Sequence, residues 1–195
     1  TSELLCCLTD TPRTNLNYYY PKISRPYRYV RFTPPPPAYP TADCRAEIAE
    51  LAFFDSVDSE EHLPSKAIYG GGPVDENPAH DIDKACDDDW LTFYYSSGPR
   101  DSIVFDLQRA STIKKILFVP RNDDNFITPG NVYELFYQSG VKGWISLGVQ
   151  TATTNELVYR NIPEGALLWL RNLTRGKEEQ VFYVEDGEQK FVGYE

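Results

Sequence analysis

The chain has 195 residues, and its formal net charge of −10 comes from 29 acidic and 19 basic residues. This length allows one large domain, or one domain with a fragment of another. Because the charge is acidic and no run of Lys or Arg stands out, binding to nucleic acid or to an anionic membrane is disfavoured. No stretch reaches the roughly 18 to 20 apolar residues of a membrane helix, so no membrane insertion is expected.

The composition favours short strands over long helices. The 12 Gly and 15 Pro interrupt the chain often, and the 14 Tyr and 10 Phe belong to the residue types that are enriched in strands. We therefore expect an all-β fold. The chain begins at Thr1 and contains no Met, which we interpret as a processed protein or a piece of a longer one.

The four cysteines, Cys6, Cys7, Cys44 and Cys86, fit no structural zinc site, because they form neither a C-x-x-C pair nor a Cys/His cluster. Adjacent Cys6 and Cys7 on a strand would point to opposite faces. We interpret them as small buried hydrophobic side chains. The cysteines alone decide neither the disulfide state nor the cellular compartment.

Strands are predicted wherever apolar and polar residues alternate between turn residues. After a stiff run of four prolines at 34–37, which excludes a central strand there, the pattern recurs along the rest of the chain. In the range 102–107, Ile103, Phe105 and Leu107 share one face, as expected of a strand that packs on a core. The predicted strands are 66–69, 102–107, 112–119, 131–138, 143–149, 156–162, 166–173 and 179–184.

A weak internal repeat divides the chain. Sliding the sequence by 140 positions aligns Tyr19 with Tyr159 and Arg31 with Arg171, with three further identities. We therefore predict that residues 56–195 are one complete module and that residues 1–55 are the closing strands of an incomplete preceding copy. The alternative is that residues 1–55 are an extension whose strands pack on the single module.

Several segments of the module resemble the coagulation factor five/eight type C, or discoidin, domain. The segment ACDDDWLT at 85–92 resembles that family's A-x-D-G-D-x-x-T turn, and DSIVFDL at 101–107 resembles one of its strands. YELFY at 133–137 is similar to a later strand, while YRYVRF at 27–32 and AEIAEL at 46–51 look like the last two strands of the preceding copy. The resemblance implies a galactose-binding-like β-sandwich jelly roll, of the bacterial carbohydrate-binding type, with additional N-terminal strands.

The resemblance also implies a structural calcium ion at the acidic turn, since family members often hold one there. Three consecutive carboxylates repel one another unless water or a cation screens them, and calcium prefers such oxygen ligands. The sequence departs from the family at Asp88, where Gly is usual and a positive φ is expected. A solvated acidic turn is the alternative. The candidate metal ligands are Asp87, Asp89, Thr92 and Glu179 or Glu178.

Discoidin-like sandwiches present ligands to loops at one end, which implies a glycan site on the apical loops of this module. A pyranose needs an aromatic ring for its apolar face and planar polar groups for its hydroxyls. The loop that begins at Arg121 carries both kinds of group, although Arg121 could equally pair with its own aspartates and hold the loop. The candidate ligand residues are Tyr95, Arg121, Asn122, Asp123, Asn125 and Phe126.

The three tryptophans are not among the candidate ligand residues. Trp144 and Trp169 lie within strand patterns and are predicted to belong to the core, whereas the role of Trp90 stays open.

The sequence predicts a binding module rather than an enzyme. Neither His62 nor His80 belongs to a nucleophile or zinc motif. We expect a non-catalytic carbohydrate-binding module of a larger secreted, periplasmic or cell-surface protein, with glycan and the other domains of the same polypeptide as partners. The alternative is a structural or protein-interaction spacer that docks a neighbouring catalytic domain.

Overall fold

The computed structural model describes residues 2–9, 12–13, 16–34, 45–73, 75–98 and 101–193. By its internal contacts the chain divides into two compact units, Thr1–Asp124 and Asn125–Glu195. Within these described ranges the helices are three short 3-10 turns, at Pro78–His80, Ile82–Ala85 and Gly140–Lys142. None of the helices in the described ranges is long and apolar enough to span a membrane.

The first unit contains two antiparallel sheets, one in the order β1-β7-β3-β5 and one in the order β2-β6-β4. These strands are β1 (Asn17–Tyr19), β2 (Tyr27–Phe32), β3 (Glu47–Phe54), β4 (Lys66–Tyr69), β5 (Tyr94–Tyr95), β6 (Ile103–Ser111) and β7 (Lys115–Pro120).

The two sheets of the first unit enclose one apolar core. Phe53 on β3 meets Phe105 on β6 edge to face, with ring centroids 5.5 Å apart. Ile103, Phe105 and Leu107 are fully buried, which confirms their predicted common face. Burial of each such side chain stabilises the fold by about 1.5–3 kcal/mol. This unit is therefore a β-sandwich.

The second unit contains one antiparallel sheet in the order β13-β12-β10-β8-β9, with β11 paired to β10. Tyr133, Leu135 and Leu168 are buried apolar side chains of this sheet, and the strand register places them on one face. The strands are β8 (Val132–Gln138), β9 (Trp144–Thr151), β10 (Leu168–Asn172), β11 (Lys177–Glu178), β12 (Phe182–Glu185) and β13 (Glu188–Phe191).

The predicted all-β class is confirmed, while the jelly-roll topology stays a prediction. Seven of the eight predicted ranges overlap a strand, but the strand predicted at 156–162 is wrong. There the Thr154 hydroxyl accepts a hydrogen bond from the backbone N–H of Glu156, which starts a turn, and Asn161 has a φ of 59°. The side chain of Gln150, rather than a neighbouring strand, donates to the carbonyl of Val158.

The first 55 residues supply strands to both sheets of the first unit. β1 and β3 pair with β7, and β2 pairs with β6. The predicted repeat and the predicted boundary between residues 55 and 56 stay predictions. Three of the five aligned identities involve Thr11, Thr14 and Asn15, which lie outside the described residues, as do prolines 35–37 and Cys44.

The three described cysteines are free thiols. Cys6 packs partly buried against the sandwich core, as predicted, whereas Cys7 is exposed, so its prediction as a buried side chain is wrong. Burial raises the pKa of the Cys86 thiol to about 11. A thiol held in this protonated form is a poor nucleophile.

Candidate functional site

The acidic turn follows the 3-10 helix Ile82–Ala85, and its first carboxylate, Asp87, has its partners within the turn. The carboxylate of Asp87 accepts hydrogen bonds from the Thr92 hydroxyl at 3.0 Å, from the backbone N–H of Asp89 at 3.2 Å and from Lys84 Nζ at 3.2 Å. The bond to Asp87 raises the pKa of Lys84. The ammonium group of Lys84 therefore places one positive charge beside the Asp87 carboxylate.

The other two carboxylates of the turn point to different partners. Asp88 has a φ of 62°, the positive value expected at this position, and its Oδ1 lies 2.9 Å from His62 Nε2. Asp89 Oδ1 accepts from the backbone N–H of Leu91 at 3.0 Å. The three consecutive carboxylates thus do not converge on a common point.

The remaining candidate metal ligands lie in the second unit. Glu179 Oε1 is 3.3 Å from Lys177 Nζ, and Glu178 Oε1 is 3.4 Å from Arg171 Nη2. Over the described ranges no group of three or more His, Cys, Asp or Glu side chains is arranged to hold a metal ion. The side chains as they lie do not fit calcium, so calcium binding stays a prediction that this turn does not support.

Arg121, the leading candidate for sugar contact, is already in contact with other side chains of the first unit. Its Nε donates to Asp123 Oδ1 at 2.7 Å and its Nη1 to Glu47 Oε2 at 3.1 Å, while the guanidinium lies 4.5 Å from the centroid of the Phe93 ring. These contacts raise the pKa of Arg121. The geometry corresponds to the alternative in which Arg121 holds the loop.

The neighbouring candidates also have structural partners. Asn122 is buried, and its amide donates to the carbonyl of Trp90 at 2.8 Å. Tyr95 is half-buried, with its ring 6.5 Å from Phe93 and 6.4 Å from His80. Asn125 and Phe126 belong to the second unit.

Two tryptophans form an aromatic pair that the sequence analysis did not assign to a site. The ring centroids of Trp144 and Trp169 are 5.5 Å apart, and Phe136 lies 5.6 Å from Trp169. Trp144 is 37% exposed and Trp169 is only partly buried, so their prediction as core residues is wrong.

The register of the sheet explains this placement. Phe136 lies directly opposite Trp169, and Trp144 lies opposite Gln138, two positions along from Phe136. Because side chains alternate across a strand, all three rings project from the face opposite to Tyr133 and Leu135. Trp144 lies on the edge strand β9 and is 37% exposed, so this face of the sheet keeps an aromatic side chain in contact with solvent.

Charged groups border the aromatic rings. The guanidinium of Arg171 lies 5.2 Å from the centroid of the Trp169 ring, and Arg171 faces Glu134 on β8 and Glu178 on β11 in the register. The aromatic rings therefore form a surface with hydrogen-bond donors and acceptors at its edge. We name Phe136, Trp144, Trp169, Arg171 and Glu178 the tryptophan face.

A signal for the tryptophan face is present in the sequence. In 131–138, Phe136 lies on the same face of the strand as the polar residues Glu134 and Gln138. In β10, Trp169 lies on the same face as Arg171. The alternation therefore places both rings on the polar face. Trp169 is predicted to belong to the core because it lies within a strand pattern, but its position in the alternation indicates the surface.

No family model, curated protein or solved structure matches this chain. The resemblance to discoidin domains therefore stays a prediction from the quoted motifs.

Proposed function

We propose that this chain is a non-catalytic carbohydrate-binding module of a larger secreted or cell-surface protein, and that it contacts glycan through the tryptophan face. The observation that carries the proposal is the adjacent, partly exposed pair Trp144 and Trp169 with Arg171 at its edge. This relocates the expected glycan site from the apical loops to a sheet.

The tryptophan face offers what a sugar ring requires. A pyranose stacks its apolar C–H face on an aromatic ring, and its hydroxyls need donors and acceptors at the ring's edge. Trp144 and Trp169 supply the rings, Arg171 supplies donors, and Glu178 supplies acceptor oxygens. Because Arg171 and Glu178 are both about half-exposed, they stay hydrated until a ligand replaces the water.

The apical loop supports the alternative function. Arg121 donates to Asp123 and Glu47, so its guanidinium ties the loop to strand β3. A loop held in this way is what a structural or protein-interaction spacer would present. The two functions differ in whether any glycan binds at all.

A glycan array followed by calorimetry tests the proposal. The parent chain should bind a subset of oligosaccharides, and Trp144→Ala should weaken that binding by at least tenfold, which corresponds to about 1.4 kcal/mol. Tyr69→Ala is the matched control, because Tyr69 is an aromatic residue that is 67% exposed in the other unit. No binding to any glycan would support the spacer function instead.

A further inference from the structure

A cavity of about 410 Å³ opens on the first unit, on the outer face of the β1-β7-β3-β5 sheet. Its floor includes Phe54 and Leu117, whose chain neighbours Phe53 and Phe118 point into the sandwich core on the opposite face. The volume lies in the range of sites that hold small molecules.

The cavity has aromatic walls together with acidic and basic side chains. Tyr18, Phe54 and Trp90 contribute rings from β1, β3 and the end of the acidic turn. Glu50 and Lys115 contribute an acidic and a basic group from the two central strands. Such a mixture is unusual for the outer face of a sheet, which is normally either solvated or covered by apolar residues.

The acidic side of the cavity is fixed by hydrogen bonds. Glu50 is only 2% exposed, and its Oε2 accepts from the backbone N–H of Asp88 at 2.9 Å. Asp88 Oδ1 in turn lies 2.9 Å from His62 Nε2, and His62 Nδ1 lies 3.0 Å from the carbonyl oxygen of Leu63. The groups are therefore positioned before any ligand arrives, which lowers the entropic cost of binding.

The basic side of the cavity is formed by the ammonium group of Lys115. Lys115 Nζ lies 4.3 Å from the centroid of the Phe54 ring and 5.8 Å from that of Tyr18, and it donates to the carbonyl of Ser59. An ammonium has three donors, so this group can donate further hydrogen bonds into the cavity.

We propose that this cavity binds a single neutral, polyhydroxylated ring, that is, one sugar unit. A cationic ligand would meet Lys115 at the aromatic rings, and an anionic ligand would meet Glu60 and Asp88. A purely apolar ligand would displace water from these polar groups without replacing its hydrogen bonds. A neutral ring with hydroxyls on its edge and an apolar face satisfies donors, acceptors and the Trp90 ring together.

This site is independent of the tryptophan face, since every lining residue belongs to the first unit. The chain contains three tryptophans, so the full-length variant W144F/W169F leaves Trp90 as the sole indole fluorophore. Methyl glycosides of neutral hexoses are titrated into this variant, with putrescine and inorganic phosphate as charged probes. We expect a saturable change in Trp90 fluorescence with at least one neutral glycoside and none with the charged probes.

The proposal is overturned if no neutral glycoside gives a saturable change, or if only putrescine or phosphate does. Lys115→Gln, made in the same background, should raise the dissociation constant at least tenfold while circular dichroism shows a retained fold. An unchanged dissociation constant in that variant would place the sugar elsewhere and overturn the proposal as well. Because Trp144 and Trp169 are absent as fluorophores, failure of this test leaves the proposed function of the tryptophan face intact.

Discussion

Glu50 and Asp88 are joined by a hydrogen bond of 2.9 Å from the backbone N–H of Asp88 to Glu50 Oε2, which ties the acidic turn to the central strand β3. Glu50 is almost completely buried there. Desolvation raises the pKa of its carboxyl group to about 8, and the bond from Asp88 offsets only part of that rise.

The raised pKa of Glu50 predicts a pH-dependent stability. The folded chain binds the proton more tightly than an ordinary carboxyl of pKa 4.5, so the free energy of unfolding should fall as the pH rises from about 4.5 to about 8 and level off above that. Urea unfolding at a series of pH values measures this fall.

Glu50→Gln provides the control for this pH dependence, because the amide keeps the shape of the side chain and cannot ionise. The variant should lose most of the fall between pH 4.5 and 8, and above pH 8 it should be more stable than the parent chain. Parallel curves for the two chains would show that Glu50 is not the titrating group.

The acidic turn predicts a weak response to calcium. Since Lys84 already neutralises Asp87, a chelator should leave the melting temperature unchanged, and added calcium should not raise it. Differential scanning calorimetry with and without chelator measures both effects. A melting temperature that drops on chelation would reinstate the calcium site expected at Asp87, Asp89 and Thr92.

Arg121→Ala predicts a structural effect rather than a binding effect. The substitution removes the bonds to Asp123 and Glu47, which are partly exposed, so the free energy of unfolding should fall by no more than about 1 kcal/mol. The affinity for any glycan that the parent chain binds should stay the same. If calorimetry instead shows that binding is lost with the fold intact, the glycan site lies on the loop that begins at Arg121.

The local strand pattern predicted most of the fold but less of the site. In β6 the alternation of Ile103, Phe105 and Leu107 identified the core face, because burial on one face imposes a period of two. Trp144 is misplaced because lying within a strand pattern does not by itself tell which face of the strand a side chain occupies. Burial of Glu50 could not be predicted, since it depends on a turn 38 residues away that supplies the partner for its carboxylate.

The proposed function is tested most directly by the fluorescence of the tryptophan face itself. The variant Trp90→Phe leaves Trp144 and Trp169 as the only indoles, and it is titrated with the oligosaccharide that binds best on the array. We expect a saturable change in emission whose midpoint equals the calorimetric dissociation constant. Binding that persists in the calorimeter while the emission of Trp144 and Trp169 stays constant would contradict it.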